Sequence, residues 1–167
     1  MSVDAVAIKL LVESELSKLG DARVEGYIRK LLIEPKAEPR DWDYGILGQQ
    51  YVCWAVLEHS QSNTSMAFCE HGFGPRSPWG LLFLTGENMS IGMDSQWYPT
   101  FLQAFFESKV ATYLPIWRVF KTDATGHRAV FSGESTWDET WAAVMAHRAS
   151  DPTARYNCET SIKYERE

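Results

Sequence analysis

The chain predicts an α+β fold: an antiparallel or mixed sheet of about four to six strands, with an N-terminal helical hairpin and a C-terminal helix packed on it. Three observations carry this expectation. Two segments within residues 1–34 place apolar residues at helical spacing. From Gln50 the texture changes to short runs rich in β-branched and aromatic residues, separated by polar turns. Thr100 with Gln103, and Thr136 with Glu139, have the spacing of capping pairs that open two further helices. With 167 residues the chain can bury roughly 70% of its unfolded surface, so one domain over 1–167 needs no disulfide or metal staple. Within it, 1–34 reads as the helical hairpin and 50–167 as the sheet with two further helices.

Each element has its own signal. Ser2 or Asp4 can cap the first helix, whose stripe is Val6, Leu10, Leu11, Leu16 and Leu19, and Gly20 stops it. Asp21 opens the second, in which Val24, Tyr27, Ile28, Leu31 and Leu32 form one apolar face opposite Arg23, Glu25, Arg29 and Lys30. Pro35 and Pro39 end that helix and predict an extended connector toward Trp42. YVCWAVLEH, the turn QSNTS and MAFCEH read as a β-hairpin in which Cys53 faces Cys69 and Trp54 faces Phe68. Alternation then puts Cys53, Ala55, Leu57, Ala67, Cys69 and His71 on one face, small enough to receive a helix, and Val52, Trp54, Val56, Met66 and Phe68 on the other. WGLLFLT is a third strand between two loops stiffened by glycine and proline, the second of which has room for a short strand. LPIWRVFK and RAVFSGE form a further strand pair. In the last long helix Trp137, Trp141, Val144 and Met145 form the expected core stripe, and RYNCETSIKYE reads as an edge strand.

Composition limits the function classes. Net charge is −6, and most of it is local: residues 41–110 hold seven acids against two bases, together with thirteen of the twenty-two aromatic side chains. That combination opposes binding to a phosphate backbone and favours a basic partner, so nucleic acid is not expected. The first residues carry no basic leader, and the longest apolar run, at 81–84, is far below the ~20 residues of a membrane span. Neither export nor membrane insertion is expected. Three widely spaced cysteines do not suggest a secreted disulfide framework, and a reducing cytoplasm is the expected location.

Catalytic signatures fail on particular residues. The third glycine of a dinucleotide fingerprint starting at Gly72 would fall at Ser77, and the chain has no Gly-Lys-Ser/Thr, H-E-x-x-H, G-x-S-x-G or C-x-x-C. Cys53, Cys69 and His71 share a predicted sheet face and have the donor types of an open zinc site, but paired thiols on a packed face read first as core, so no metal or other cofactor is expected. Glu70 and His71 are strand neighbours pointing to opposite faces and cannot form an acid–base dyad with each other. His59 sits at the hairpin tip, where a solvated histidine is the ordinary reading.

The remaining candidate is a surface built by the two loops around the third strand: Glu70, Phe73, Arg76 and Trp79 from the first, and Asp94, Trp97 and Tyr98 from the second. The two loops leave opposite ends of that strand, so they meet only if the second folds back. The expected function is a non-enzymatic, acidic protein-binding module. By general type, and not by any matched motif, such a chain resembles the immunity proteins with which bacteria neutralise basic nuclease toxins. The alternatives are a small hydrolase or nuclease with a pocket near Glu70 and His71, and a homodimeric accessory or scaffold protein that pairs through its N-terminal helices.

Overall fold

The computed structural model describes residues 3–114, 117–134 and 136–159. The chain forms two compact units, Met1–Val110 and Ala111–Glu167. Each is α+β with an antiparallel sheet. Among the described residues the strands divide between five in the first unit and three in the second, and α-helix 137–150 packs on the smaller sheet.

The first unit opens with the helical hairpin α1 (Ala5–Leu16) and α2 (Ala22–Leu31), capped by the carboxylates of Asp4 and Asp21, which accept from Ala7 N and Arg23 N. In α1 the buried stripe is Ile8, Val12 and Leu16, while Val6, Leu10 and Leu11 are exposed. The expected stripe was therefore rotated: a run of apolar residues around a short helix leaves its phase undetermined, and only the position of the sheet selects it. α2 passes directly into β1 (Leu32–Asp41), a strand where an unpaired connector was expected. Its prolines are compatible with pairing because β1 lies at the sheet edge, and Pro35 falls in an irregularity between Leu32 and Lys36.

The remaining strands are β2 (Gln50–His59), β3 (Thr64–Phe68), β4 (Trp79–Phe83) and β5 (Gln96–Tyr98), in the order β1-β2-β3-β4-β5. Trp54 does pair with Phe68, and Ala55 with Ala67, but a bulge at Val56 then brings Leu57 opposite Met66. The extra residue moves Leu57 to Met66's face, which strict alternation could not foresee. His59 is buried rather than solvated, because its Nδ1 accepts from Ser62 N and closes the turn.

Helices cover the face of Phe68 and Trp79. The short helix α3 (Phe101–Glu107) sets Phe101 5.3 Å from Trp79, ring to ring, and Phe105 meets Tyr27 of α2. Glu15 of α1 caps α3 from outside: its two oxygens accept from Phe101 N at 3.1 Å and Leu102 N at 2.9 Å, while Thr100 Oγ1 accepts from Gln103 N. Three otherwise orphaned donors of one helix end are thereby satisfied. The opposite face, which the small residues Cys53, Ala67 and Cys69 were expected to open to a helix, is covered instead by Trp42, Tyr51, Ile91 and Trp97.

In the second unit β6 (Trp117–Thr122) pairs with β7 (Arg128–Glu134) on one side and β8 (Arg155–Glu159) on the other, and α4 (Trp137–Ser150) packs Val144 against Val119 and Tyr156. The Thr136–Glu139 capping box forms with both of its bonds. Trp137, Trp141 and Met145 are exposed rather than in the core; Trp137 lies 4.6 Å from Trp117 and 5.7 Å from Trp141. Asp151, just beyond α4, accepts from the Thr153 and Tyr156 hydroxyls and pairs with Lys121, and these bonds hold its carboxyl well below the usual carboxylate range.

Two outcomes follow. Glu15→Ala lowers stability in urea unfolding by about 1–2 kcal/mol, the size of a lost helix cap, and an unchanged midpoint would show that water caps α3 equally well. A carboxyl depressed in the folded state stabilises above its unfolded pKa and loses that contribution as pH falls through the lower folded value. Asp151→Asn therefore lowers the melting temperature from about pH 5 to 7, and the gap to the parent protein closes below about pH 4. Melting followed by circular dichroism across that range checks it.

Candidate functional site

The site begins with the connection from β4 to β5. Residues 84–95 leave the fourth strand, cross the small-residue face to the far edge of the sheet, and return to β5. At the far edge Ile91 N donates to Asp41 O at 2.8 Å and Asp43 N donates to Ile91 O at 3.0 Å. The Ile91 side chain closes over Cys53, Ala67, Cys69 and Leu82. Arg40, 4% exposed, fastens the crossing: Nη1 donates to the carbonyls of Phe83 and Met89, and Nη2 to Glu38 at 2.8 Å. Burial pushes the Glu38 carboxyl up, but its bonds to Lys36 and Arg40 outweigh that and leave it below its ordinary value.

The crossing shapes the adjacent turn, residues 42–49 between β1 and β2. Trp42 N donates to Gln49 O and Gly45 N to Trp42 O. Gln49 Oε1 accepts from Ile46 N, and its Nε2 donates to the Tyr51 hydroxyl. A Cβ on Gly45 would meet Gln49 Oε1 and the edge of Trp42, so a side chain there would displace the bonded Gln49 amide. The turn is therefore internally bonded, yet it presents apolar side chains to solvent: Tyr44 is 60% exposed, Ile46 80% and Leu47 105%.

Beside this turn the aromatic residues of three segments meet. Trp42 contacts Tyr44, Tyr51 and Phe73 at ring separations of 5.2, 5.7 and 5.3 Å. Phe73 also contacts Trp97 at 5.5 Å, and Tyr51 contacts His71 at 5.4 Å. Trp97 lies flat over Gly80, where a Cβ would be 2.9 Å from the indole, and donates from Nε1 to Ser95 Oγ at 2.7 Å. The fold-back that the two-loop surface required is thus present, and Phe73 and Trp97 do meet.

The other predicted residues are placed as follows. Glu70 and Arg76 are exposed on the first loop, and Asp94 is exposed on the second, accepting a long 3.4 Å bond from Asn88. Trp79, 2% exposed, packs between Phe68 and Phe101 and belongs to the core under the helices. Tyr98 pairs with Trp79 across the strands, next in the chain to Trp97 and on the opposite pleat; burial, then the nearby Glu107, raises its phenol. Reading the sequence alone missed Trp42, Tyr44, Ile46 and Leu47, although WDYGILG combines aromatic residues with two glycines, the composition of an ordered turn.

Cys53 and Cys69 are buried in one cluster, and the neighbouring Cys69 thiol, followed by burial, pushes the Cys53 thiol up. His71 is exposed and turned onto Tyr51. Among the described residues, no three His, Cys, Asp or Glu side chains converge to hold a metal ion. Val3, Gln50, Tyr51, Val52, Trp54, Glu70 and His71 line a cleft of about 480 Å³. A second cleft, of about 490 Å³, is more polar and carries Glu38, Asp41, Gln50, Glu87 and Asn88. Carboxylates differ along the chain: Glu13, Asp21, Glu25, Glu34 and Glu38, in the helical hairpin and along β1, each make an ion pair, whereas among the described residues Asp41, at the end of β1, and Asp43, Glu70, Glu87 and Asp94, in the loops, make none. No described helix is long and apolar enough to cross a membrane. Fold and site together define a two-unit α+β protein that displays an aromatic surface fringed by carboxylates. Compared with protein-family models, curated proteins and solved structures, the chain finds no match in any of the three.

Arg40→Met removes the bonds to both carbonyls and leaves Glu38 without its buried partner. A loss of about 2–4 kcal/mol in denaturant unfolding is expected. A loss under ~0.5 kcal/mol would show that Ile91 alone holds the crossing.

Proposed function

We propose that this protein is a non-enzymatic, acidic protein-binding module that engages a basic partner through the 42–49 turn and the Trp42, Phe73 and Trp97 cluster. In this reading it acts as a bacterial immunity or inhibitor protein against a basic toxin such as a nuclease. The observation that carries it is the internally bonded turn that holds Tyr44, Ile46 and Leu47 out to solvent next to half-buried aromatic rings. Ordering such side chains before encounter lowers the entropy cost of association, and exposed aromatics beside a rigid turn are the usual source of hot spots. The unpaired carboxylates around it supply a field that speeds encounter with a cationic surface.

A second reading has its own observation. The cleft beside Glu70 and His71 is the pocket a small hydrolase or nuclease would use, with the exposed His71 imidazole in its lining. A third, homodimerisation through α1, would use the exposed Val6, Leu10 and Leu11.

Capture from the native cell separates these readings. The parent protein is expected to retain a partner of high isoelectric point that elutes as salt is raised, and Leu47→Ala or Trp97→Ala to weaken that complex at least about tenfold. A complex unaffected by either substitution would place binding elsewhere. Hydrolytic activity lost in His71→Ala would favour the enzyme.

A further inference from the structure

Two buried thiols, Cys53 and Cys69, have no part in the surface described above, and the sheet register fixes how they stand to each other. Trp54 pairs with Phe68 and Ala55 with Ala67 across β2 and β3, so one step before Trp54 the cysteines lie directly opposite. Cys69 N donates away from β2, to Pro78 O at 2.8 Å, on the side of β4. In an antiparallel ladder the N–H and C=O of one residue point to the same neighbour. Cys53 and Cys69 therefore form a non-hydrogen-bonded pair, the kind that holds its Cα atoms about 4.5 Å apart and brings its side chains closest. A disulfide spans Cα separations of about 4.4–6.8 Å, so the pair stands within bridging range while both thiols are free.

The surroundings favour a bond between the sulfurs over a shared metal. Both cysteines sit in the cluster with Ala67, Leu82 and Ile91. His71 is turned onto Tyr51, and among the described residues no three His, Cys, Asp or Glu side chains converge on a metal site. The neighbouring Cys53 thiol and, against burial, the His71 backbone hold the Cys69 thiol below its ordinary value, which marks Cys69 as the first nucleophile. What keeps solvent from the pair is the 84–95 crossing. Ile91 lies over the cluster, tied by its backbone to Asp41 and Asp43, and Arg40 fastens the same segment through Met89 O.

We propose that Cys53 and Cys69 are a peroxide-sensitive dithiol that closes to an intramolecular disulfide, with the 84–95 crossing as its cover. The Cys69 thiolate attacks one oxygen of hydrogen peroxide, the O–O bond breaks, and Cys69 becomes a sulfenic acid as water leaves. The Cys53 sulfur then attacks the sulfenic sulfur, the S–O bond breaks, and a second water leaves. Two thiols and one peroxide give one disulfide and two waters; the sulfurs lose two electrons and the peroxide gains them. The bond closes the 53–69 loop and ties β2 to the end of β3, at the root of the segment that carries Phe73. Closing that loop restricts the unfolded chain, so the oxidised protein is the more stable form.

The test treats the full chain, fully reduced and freed of reductant, with hydrogen peroxide, blocks remaining thiols with N-ethylmaleimide, and maps tryptic peptides by mass spectrometry. Cys53 and Cys69 fall in one tryptic peptide, 41–76, whereas Cys158 lies outside it. Peptide 41–76 is expected to take up no maleimide and to weigh about 2 Da less than the dithiol, and dithiothreitol restores both thiols. Further cleavage after Glu58 yields two pieces that part only on reduction. The bridged protein is expected to melt at least about 3 °C higher than the dithiol. Ile91→Ala and Arg40→Met, each shown folded by circular dichroism, are expected to bridge at least about tenfold faster because the cover opens more often. Two free thiols in peptide 41–76 after Cys158 is fully oxidised would overturn the proposal. So would sulfinic acid on either cysteine in place of the bond, or a bridged product that melts below the dithiol. Unchanged bridging rates in both variants would overturn the role of the crossing as cover.

Discussion

The first unit depends on one crossing: residues 84–95 run over the sheet from β4 to the edge of β1, held there by the buried Arg40 guanidinium and the paired backbone of Ile91. A buried arginine is costly unless its donors are satisfied, and here Glu38 and two carbonyls satisfy them. The Phe83 carbonyl ends β4 and the Met89 carbonyl belongs to the loop that follows it, which could otherwise not lie across an apolar face, because its backbone groups would be left unpaired. The same contact therefore covers the core on the side without helices and fixes the loop. It also sends the chain back toward β5, which brings Trp97 under Phe73.

The two faces of the sheet consequently have different characters. On one side α1, α2 and α3 are tied together by Glu15, Tyr27 and Phe101, and the acids of the helical hairpin are largely neutralised by neighbouring bases. On the other side glycine-dependent turns hold aromatic rings half in solvent, and the carboxylates beside them lack ion pairs among the described residues. A rigid support behind a charged and aromatic surface is a sound arrangement for recognition, since little entropy remains to be lost on binding. The bulge at Val56 assists by letting Leu57 join the helical side while Cys53 and Ala67 stay on the loop side.

The second unit is held by a compact set of contacts around Tyr156. Its hydroxyl donates to Asp151, its ring stacks on His147, and Lys121 lies over both Tyr156 and Phe131. Val144 and Thr140 form the buried side of α4, leaving the Trp137 and Trp141 rings stacked on its exposed side with Arg148 near Trp141. A helix rich in apolar residues on two sides does not announce which side will be buried. The small side chains of Ala143 and Val144 allow the closer approach to the sheet, and the tryptophans are too large to do so.

The sequence by itself determined the features that arise within a few residues of chain. The α+β class, the caps at Asp4, Asp21, Thr100 and Thr136, and the pairing of Trp54 with Phe68 were legible because a capping side chain bonds a backbone two or three residues away and a short hairpin sets its own register. What only the tertiary structure decided lies between distant segments. Proline-containing β1 became a strand because an edge position tolerates missing donors, and Trp79 and Tyr98 separated from Phe73 and Trp97 because the pleat sends neighbours to opposite faces. The contacts among Trp42, Tyr44 and Phe73 join positions some thirty residues apart, beside a crossing loop whose path no local periodicity encodes.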